Sequence, residues 1–275
     1  MDKTIKIENH ALKLTHLDKI LWSKLKITKG DLLDYYQKIA KYILPYLANR
    51  PVTVERCPNG IGKECWVQKD APENLATFVK TYSAVSKTDR HKVDYVLVNN
   101  LATLLWLANL DSIEFHIWFS CTRSPNVPDW LIFDLDLVKG GQSQDLIKVA
   151  FLIKKELVKE KLILKTTGRT GLHILMENKK KLSYKKARVF VRKIVQKLDK
   201  IYPDLVATEA RIAERKGKIF IDPAQNSKGR TMICPYSLRA VDGATISMPI
   251  SWQELKNLNQ KKYNIRSVHA GAARS

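Results

Sequence analysis

The segment Trp130-Leu131-Ile132-Phe133-Asp134-Leu135-Asp136-Leu137 constrains this chain more than any other. So dense an apolar run reads as a buried strand, and two acids then interrupt it at alternate positions. Side chains two apart on a strand share a face, which predicts that Asp134 and Asp136 converge while Leu135 packs behind them. Carboxylates held together at the end of a buried strand repel one another unless positive charge sits between them. A divalent cation supplies that charge, and oxygen-only ligands suit magnesium or manganese. Taken alone, the same pattern also fits a strand running out into a solvated acidic turn.

A third acid favours the first reading. Asp222 ends the apolar strand Ile219–Asp222, directly before Pro223. By itself it is a turn-initiating aspartate. Three strand-end acids together can hold two metal ions for phosphoryl transfer. Between them lies Thr166-Thr167-Gly168-Arg169-Thr170-Gly171-Leu172-His173, whose glycines and hydroxyls suit the close approach of an anion. Arg169 and His173 could add charge to a triphosphate there. The loop lacks the Gly-Lys-Ser/Thr ending of a Walker A motif and equally resembles a glycine-rich hairpin. His116 alternates with apolar neighbours, as a hydrogen-bonded core histidine would, and Arg239 follows the turn-like Pro235-Tyr236-Ser237-Leu238.

The net charge of +21, from 48 basic and 27 acidic residues, calls for a polyanionic partner. The lysines spread through folded-looking segments, so phosphate-backbone binding with strong salt dependence is expected of the globular body. No apolar run is long enough to cross a bilayer and no signal peptide opens the chain, which predicts a soluble, cytoplasmic, nucleoid-associated protein. Cys57, Cys65, Cys121 and Cys234 show no Cys-x-x-Cys spacing and are expected to be reduced packing residues.

Periodicity and capping signals place a helix over 28–48 and strands at Val52–Glu55, Trp66–Gln68, Tyr95–Val98 and Ile113–Trp118. A short helix is expected at Leu101–Leu107, and the polar stretch Lys80–Lys92 reads as an exposed loop. Beyond Asp136 the pattern predicts a helix at Asp145–Glu160, strands at Leu162–Thr166 and Leu172–Met176, and a basic helix capped by Ser183. Strands at Ile219–Asp222 and Thr231–Cys234 follow. The fold class is α/β: an N-terminal α/β module over 1–110 and a catalytic core over 111–275, a mixed sheet with flanking helices.

In their shared order, several segments resemble the polymerase domain of bacterial ligase D, within the archaeo-eukaryotic primase superfamily. They include Leu14–Lys19, Thr28–Tyr36, Asn100–Asn109, Phe133–Asp136, Thr167–His173, Phe220–Asn226, Pro235–Ala240 and Ser251–Leu255. The resemblance implies that Asp134, Asp136 and Asp222 bind two Mn2+ or Mg2+ ions. It implies that His116, Thr167, Gly168, Arg169, Thr170, Gln225 and Arg239 bind the nucleotide, with His116 and Arg239 on the triphosphate. Lys19 and Lys29 match the pair that grips the downstream 5′-phosphate, Arg56 and Trp66 match template contacts, and Lys80–Lys92 matches a loop used in pairing DNA ends. The family's loop reads Ser-Gly-x-Lys-Gly, where this chain has Thr167 and Thr170. Trp66-Val67 replaces two adjacent aromatics, and His16 stands where asparagine is common.

The implied activity is template-directed nucleotidyl transfer that fills short gaps in non-homologous end joining, with a preference for ribonucleotides. The implied partners are gapped or broken DNA with a 5′-phosphate, NTP or dNTP, a Ku-type end binder, a DNA ligase and, across a bridged break, a second copy of the chain. A non-catalytic end-bridging protein and a primase that starts chains unaided are the competing readings.

Overall fold

In the computed structural model, which describes residues 2–85, 91–138, 140–208 and 217–267, two small hairpins open the chain. They are β1 (Lys3–Ile7) with β2 (His10–Leu14), and β3 (Ile20–Trp22) with β4 (Ile27–Thr28). Helix α1 (Lys29–Leu47) starts at Thr28, whose hydroxyl accepts from the Asp31 N–H while the Asp31 carboxylate accepts from the Thr28 N–H. This reciprocal capping box satisfies two donors that a helix start otherwise leaves bare. The helix buries Leu32, Tyr36, Ile39 and Ile43, spaced to share one face.

A six-stranded sheet follows. Strands β5 (Pro51–Arg56), β6 (Trp66–Gln68), β7 (Lys80–Val85) and β8 (Lys92–Leu97) lead through α2 (Leu101–Asn109) to β9 (Ser112–Trp118). β15 (Thr231–Ile233) completes it in the order β15-β9-β5-β8-β7, with β6 also on β5, so this sheet joins strands from both sides of residue 110. The second sheet, β11-β12-β10-β14-β13, comprises β10 (Trp130–Leu137), β11 (Leu162–Thr166), β12 (Leu172–Glu177), β13 (Val206–Ala207) and β14 (Ile219–Ile221). Helices α3 (Ser143–Glu156) and α4 (Tyr184–Ile201) pack on β10, and a short α5 (Trp252–Leu255) follows β15. One buried apolar cluster spans both sheets, from Leu12 to Tyr263.

Three expectations are corrected. Lys80–Val85 is a strand, not part of an exposed loop: Tyr82 and Ala84 alternate onto a small cluster with Val93, Tyr95 and Trp118. The polar residues between them are its outward face, and residues 86–90 of the expected loop lie outside the described residues. Cys57 and Cys65 form a disulfide. Register explains it, because Arg56 pairs with Trp66 across β5 and β6 and the next residues on each side are the two cysteines. Ser183 sits at the start of α4 without making a capping bond.

Among the described residues no helix is long and apolar enough to cross a membrane. Replacing Thr28 by Ala removes one capping partner, so Thr28→Ala should lower stability by about 1 kcal/mol. A lower urea midpoint at unchanged slope would show it.

Candidate functional site

Strand β10 places the two acids as its alternation predicts. Leu135 is fully buried, Asp134 is half-buried and Asp136 is exposed at the strand end. Both acids line a pocket of about 300 Å3 together with His116, Thr167, Arg169, Thr170, Gln225 and Arg239. Asp134 lies opposite His173, which lies opposite Lys165, so three adjacent strands carry one polar row. The His173 Nε2 is 3.1 Å from an Asp134 oxygen. Burial, reinforced by Lys165, lowers the His173 pKa and favours the neutral ring, with Nε2–H donating to Asp134. Burial alone would raise the Asp134 pKa, but His173 and Lys165 outweigh it and keep the carboxylate below its ordinary range. His173 is therefore engaged with Asp134.

Asp222 follows β14, and its N–H donates to the Asp134 carbonyl at 3.3 Å. Directly opposed residues of an antiparallel pair share a face, so all three acids lie on one side of the sheet. The Asp222 carboxylate, however, accepts from the Ala224 N–H and lines a different cavity, with Arg192 and Thr208. Among the described residues, two groups of three acid, histidine or cysteine donors fall within 4.8 Å of one another. They are Glu55–Glu114–His116 and Glu55–Cys57–Cys65, and neither contains the three aspartates. Asp134 and Asp136 offer hard oxygen donors suited to magnesium or manganese, with Asp222 beside them on the same face.

The loop after β11 is built by close approach. A Cβ on Gly171 would stand 2.5 Å from the Leu135 carbonyl oxygen and 3.4 Å from an Asp136 oxygen, so only glycine brings the loop between the acids. Gly168 has φ +72°, and a Cβ there would meet the Arg239 side chain at 2.6 Å. The Thr167 hydroxyl accepts from the N–H groups of Arg169 and Gly171 and donates to the Gly171 carbonyl. These two amides organise the loop and are not free to cradle an anion. Gln225 donates to the Thr231 carbonyl at the pocket wall.

Arg239 is held by the turn beneath it. Its N–H donates to the Thr245 carbonyl, Tyr36 Oη accepts from the Leu238 N–H, and Ser237 Oγ accepts from the Phe115 N–H. Helix α1 therefore fixes the turn that carries the guanidinium.

A second cationic cluster lies at the start of β9. Lys19 and Lys29 converge on Asp111, at 2.6 and 3.8 Å, and the Lys29 N–H donates to the Lys19 carbonyl. Lys29 is buried, which lowers its pKa despite Asp111. Arg56 donates to the Leu110 carbonyl beside it, and its guanidinium lies 5.4 Å from the ring centre of Trp66, which is 43% exposed. His16 has φ +54°, a conformation that asparagine adopts readily, which accounts for asparagine at that place in the resemblance.

Residues 28–275 match the family model for the primase-polymerase domain of LigD. The chain belongs to the LigD primase-polymerase domain family. It is 32% identical over 256 residues to the bifunctional non-homologous end joining protein LigD of Bacillus subtilis, covering 90% of this chain and 40% of that protein. With the multifunctional LigD of Mycolicibacterium smegmatis the identity is 31%, over 89% of this chain and 32% of the relative. The chain thus spans well under half the length of these relatives. The polymerase domain of Mycobacterium tuberculosis ligase D, solved in complex with DNA, superposes with a TM-score of 0.87 at 28% identity, covering 93% of this chain and 92% of that one.

In this LigD-type domain, sequence reasoning missed Asp111, Glu114 and Lys165. Asp111 follows a helix end and looks like a turn residue, Glu114 alternates with apolar residues as any outward strand residue would, and Lys165 looks like the polar end of an apolar strand. The last two are in fact fully buried. Burial brings the Lys165 pKa down to about 7, so the folded state releases its proton well below the usual lysine range. Between those values the unfolded chain holds one more proton than the folded one, and stability rises with pH by up to about 1.4 kcal/mol per unit. Urea unfolding at pH 7 and 8.5 should show that Lys165→Met removes this rise; an identical rise in both proteins would contradict it.

Proposed function

We propose that this chain is a template-directed nucleotidyltransferase that fills short gaps at double-strand breaks during non-homologous end joining. The observation that carries the reading is the pairing of two sites on one frame. Asp134 and Asp136 share a pocket with His116, Arg169 and Arg239, and Lys19 and Lys29 form a separate cationic pocket at Asp111. The family match and the solved relative's complex with DNA support it.

On this reading Asp134, Asp136 and Asp222 hold magnesium or manganese. The ions, when bound, supply Lewis-acid charge at the reacting phosphate and at the primer hydroxyl. Arg239 and His116 bind the triphosphate, with Arg169 in place of the family's loop lysine and Thr167, Gly168, Thr170 and Gln225 shaping the wall. A guanidinium suits this role because its fork engages two phosphate oxygens at once. His173 keeps Asp134 oriented and ionised. Lys19 and Lys29 grip the 5′-phosphate downstream of the gap, where a buried ammonium discriminates more than a solvated one because salt screens it less. Trp66 stacks on a template base, a contact worth roughly 1–3 kcal/mol. The domain prefers ribonucleotides, works well in manganese, and acts with a Ku-type end binder and a DNA ligase.

Extension of a one-nucleotide gap carrying a downstream 5′-phosphate, opposite adenine and in manganese, tests the reading. Template-matched incorporation, stronger with UTP than dTTP, is expected, and tight gap binding with no incorporation would point to an end-bridging protein instead. Asp134→Ala and Asp136→Ala should each abolish extension while DNA affinity stays largely intact; polymerisation by either clean variant would sink the assignment. Replacing Lys19 and Lys29 together by Ala should erase the preference for a 5′-phosphorylated gap, measured near physiological ionic strength, and spare extension on an open primer–template. Equal loss on both substrates would argue against a phosphate pocket.

A further inference from the structure

The cationic side of the nucleotide pocket converges on Glu114. Its side chain is fully buried on β9. One carboxylate oxygen lies 2.9 Å from His116 Nε2 and 3.0 Å from an Arg239 nitrogen. The other accepts from the Ala240 N–H at 2.8 Å and faces Arg169 at 3.7 Å. Burial pushes the Glu114 carboxyl up, but the bond from His116, the charge of Arg239 and the Ala240 N–H together hold it below the ordinary carboxylate range. Glu55 lies opposite it in the β5–β9 register, half-buried, and is pushed up by burial and by Glu114 itself.

Glu55, Glu114 and His116 are close enough to hold a cation. The guanidiniums argue against that use, since Arg239 and Arg169 already take the Glu114 oxygens and would repel a metal ion. A fully buried carboxylate is costly unless it is paired and hydrogen-bonded, and here, Glu55 apart, the neighbours that pair it are pocket-lining cations or the residue next to one. Arg239 is itself only 8% exposed, and its Nε lacks a partner.

We propose that Glu114 is the positioning residue of the nucleotide site. It fixes the directions of Arg239 and His116, with Arg169 at longer range, so that their remaining donors face the triphosphate. This rests on the nucleotide-binding reading given above. The role needs a carboxylate. Both Glu114 oxygens face donors, whereas a glutamine amide would keep one acceptor on the Ala240 N–H and turn its own N–H groups toward Arg239 and His116. Two donors facing each other push the guanidinium out of place.

Glu114→Gln, Arg239→Ala and the double variant form the test, read by equilibrium binding of a fluorescent nucleotide in manganese and by steady-state extension of the gapped substrate. Affinity for gapped DNA, measured on the same preparations, reports folding. We expect Glu114→Gln to weaken nucleotide binding and raise KM about tenfold or more while gap affinity stays within about twofold, since about 1.4 kcal/mol is a factor of ten. On the Arg239→Ala background the same change should cost less than about twofold, because residues that act through one another are non-additive. Additive losses, or wild-type nucleotide affinity in Glu114→Gln, would overturn the proposal. Should Glu114→Gln fail to fold, Glu114→Asp keeps the charge, shortens the reach and carries the same cycle. Failure of both to fold would make Glu114 a structural counter-charge and equally overturn it. A wild-type protein that binds no nucleotide would refute the polymerase reading itself, an outcome separate from these.

Discussion

Pairing of β9 on both edges is the constraint on which the rest of the site depends. Thr53 and Ile233 both pair with His116, from β5 on one side and β15 on the other, and Ile113, Phe115 and Ile117 are buried to 1% exposure or less. A one-residue slip would turn those three outward and bury Glu114 and His116 in the apolar layer. Asp111 immediately precedes the strand and gathers Lys19 and Lys29. At about 3.3 Å per residue, the Asp111 and His116 backbones stand roughly 16 Å apart. Under the proposed function, the spacing between downstream phosphate and incoming triphosphate is therefore set by a locked strand, not by a hinge.

The second sheet adds the acids by a different device. Directly opposed positions on β10, β12 and β11 hold Asp134, His173 and Lys165. The Lys165 amine donates to Ser247 Oγ at 2.7 Å, and Ser247 Oγ donates in turn to the Thr166 carbonyl. This buried polar row is hydrogen-bonded along most of its length, and such rows specify a single arrangement because leaving any member unpaired is costly. Beside this row, Gly171 lets the loop press against Leu135.

How much of this was legible follows from what each residue's neighbours in sequence reveal. Asp134 and Asp136 interrupt an apolar strand, and that local contradiction identified them. The capping box at Thr28 and the buried face of α1 were equally local, and so readable. Lys80–Val85 was missed because one face of the strand packs on only a small aromatic cluster, leaving its composition polar. The Cys57–Cys65 bond depends on the register of β5 against β6, which cysteine spacing alone does not encode. Glu114 looked like any polar residue of a half-exposed strand. Its meaning comes from Arg239, Ala240 and Arg169, brought to it by the turn after β15 and the loop after β11, and that convergence is a tertiary fact.

The charge of +21 and the buried ion pairs do different work. Several cations are paired with buried or half-buried acids: Lys19 and Lys29 with Asp111, Arg239 with Glu114, and Arg50 with Asp129 at 2.7 Å. The surplus is outside, as on the exposed side of α4, where Lys185, Lys186, Arg192, Lys193, Lys197 and Lys200 follow one another and Lys197 pairs with Glu156. Solvated lysines of this kind raise affinity for any polyanion and steer its approach, and salt weakens both effects. They cannot distinguish a phosphorylated end from an unbroken duplex, since every phosphate looks alike to them. Under the proposed function, discrimination comes from the cations held by a buried acid, whose fields salt reaches poorly. On that reading, rising ionic strength strips away indiscriminate binding first and leaves recognition at the two sites comparatively intact.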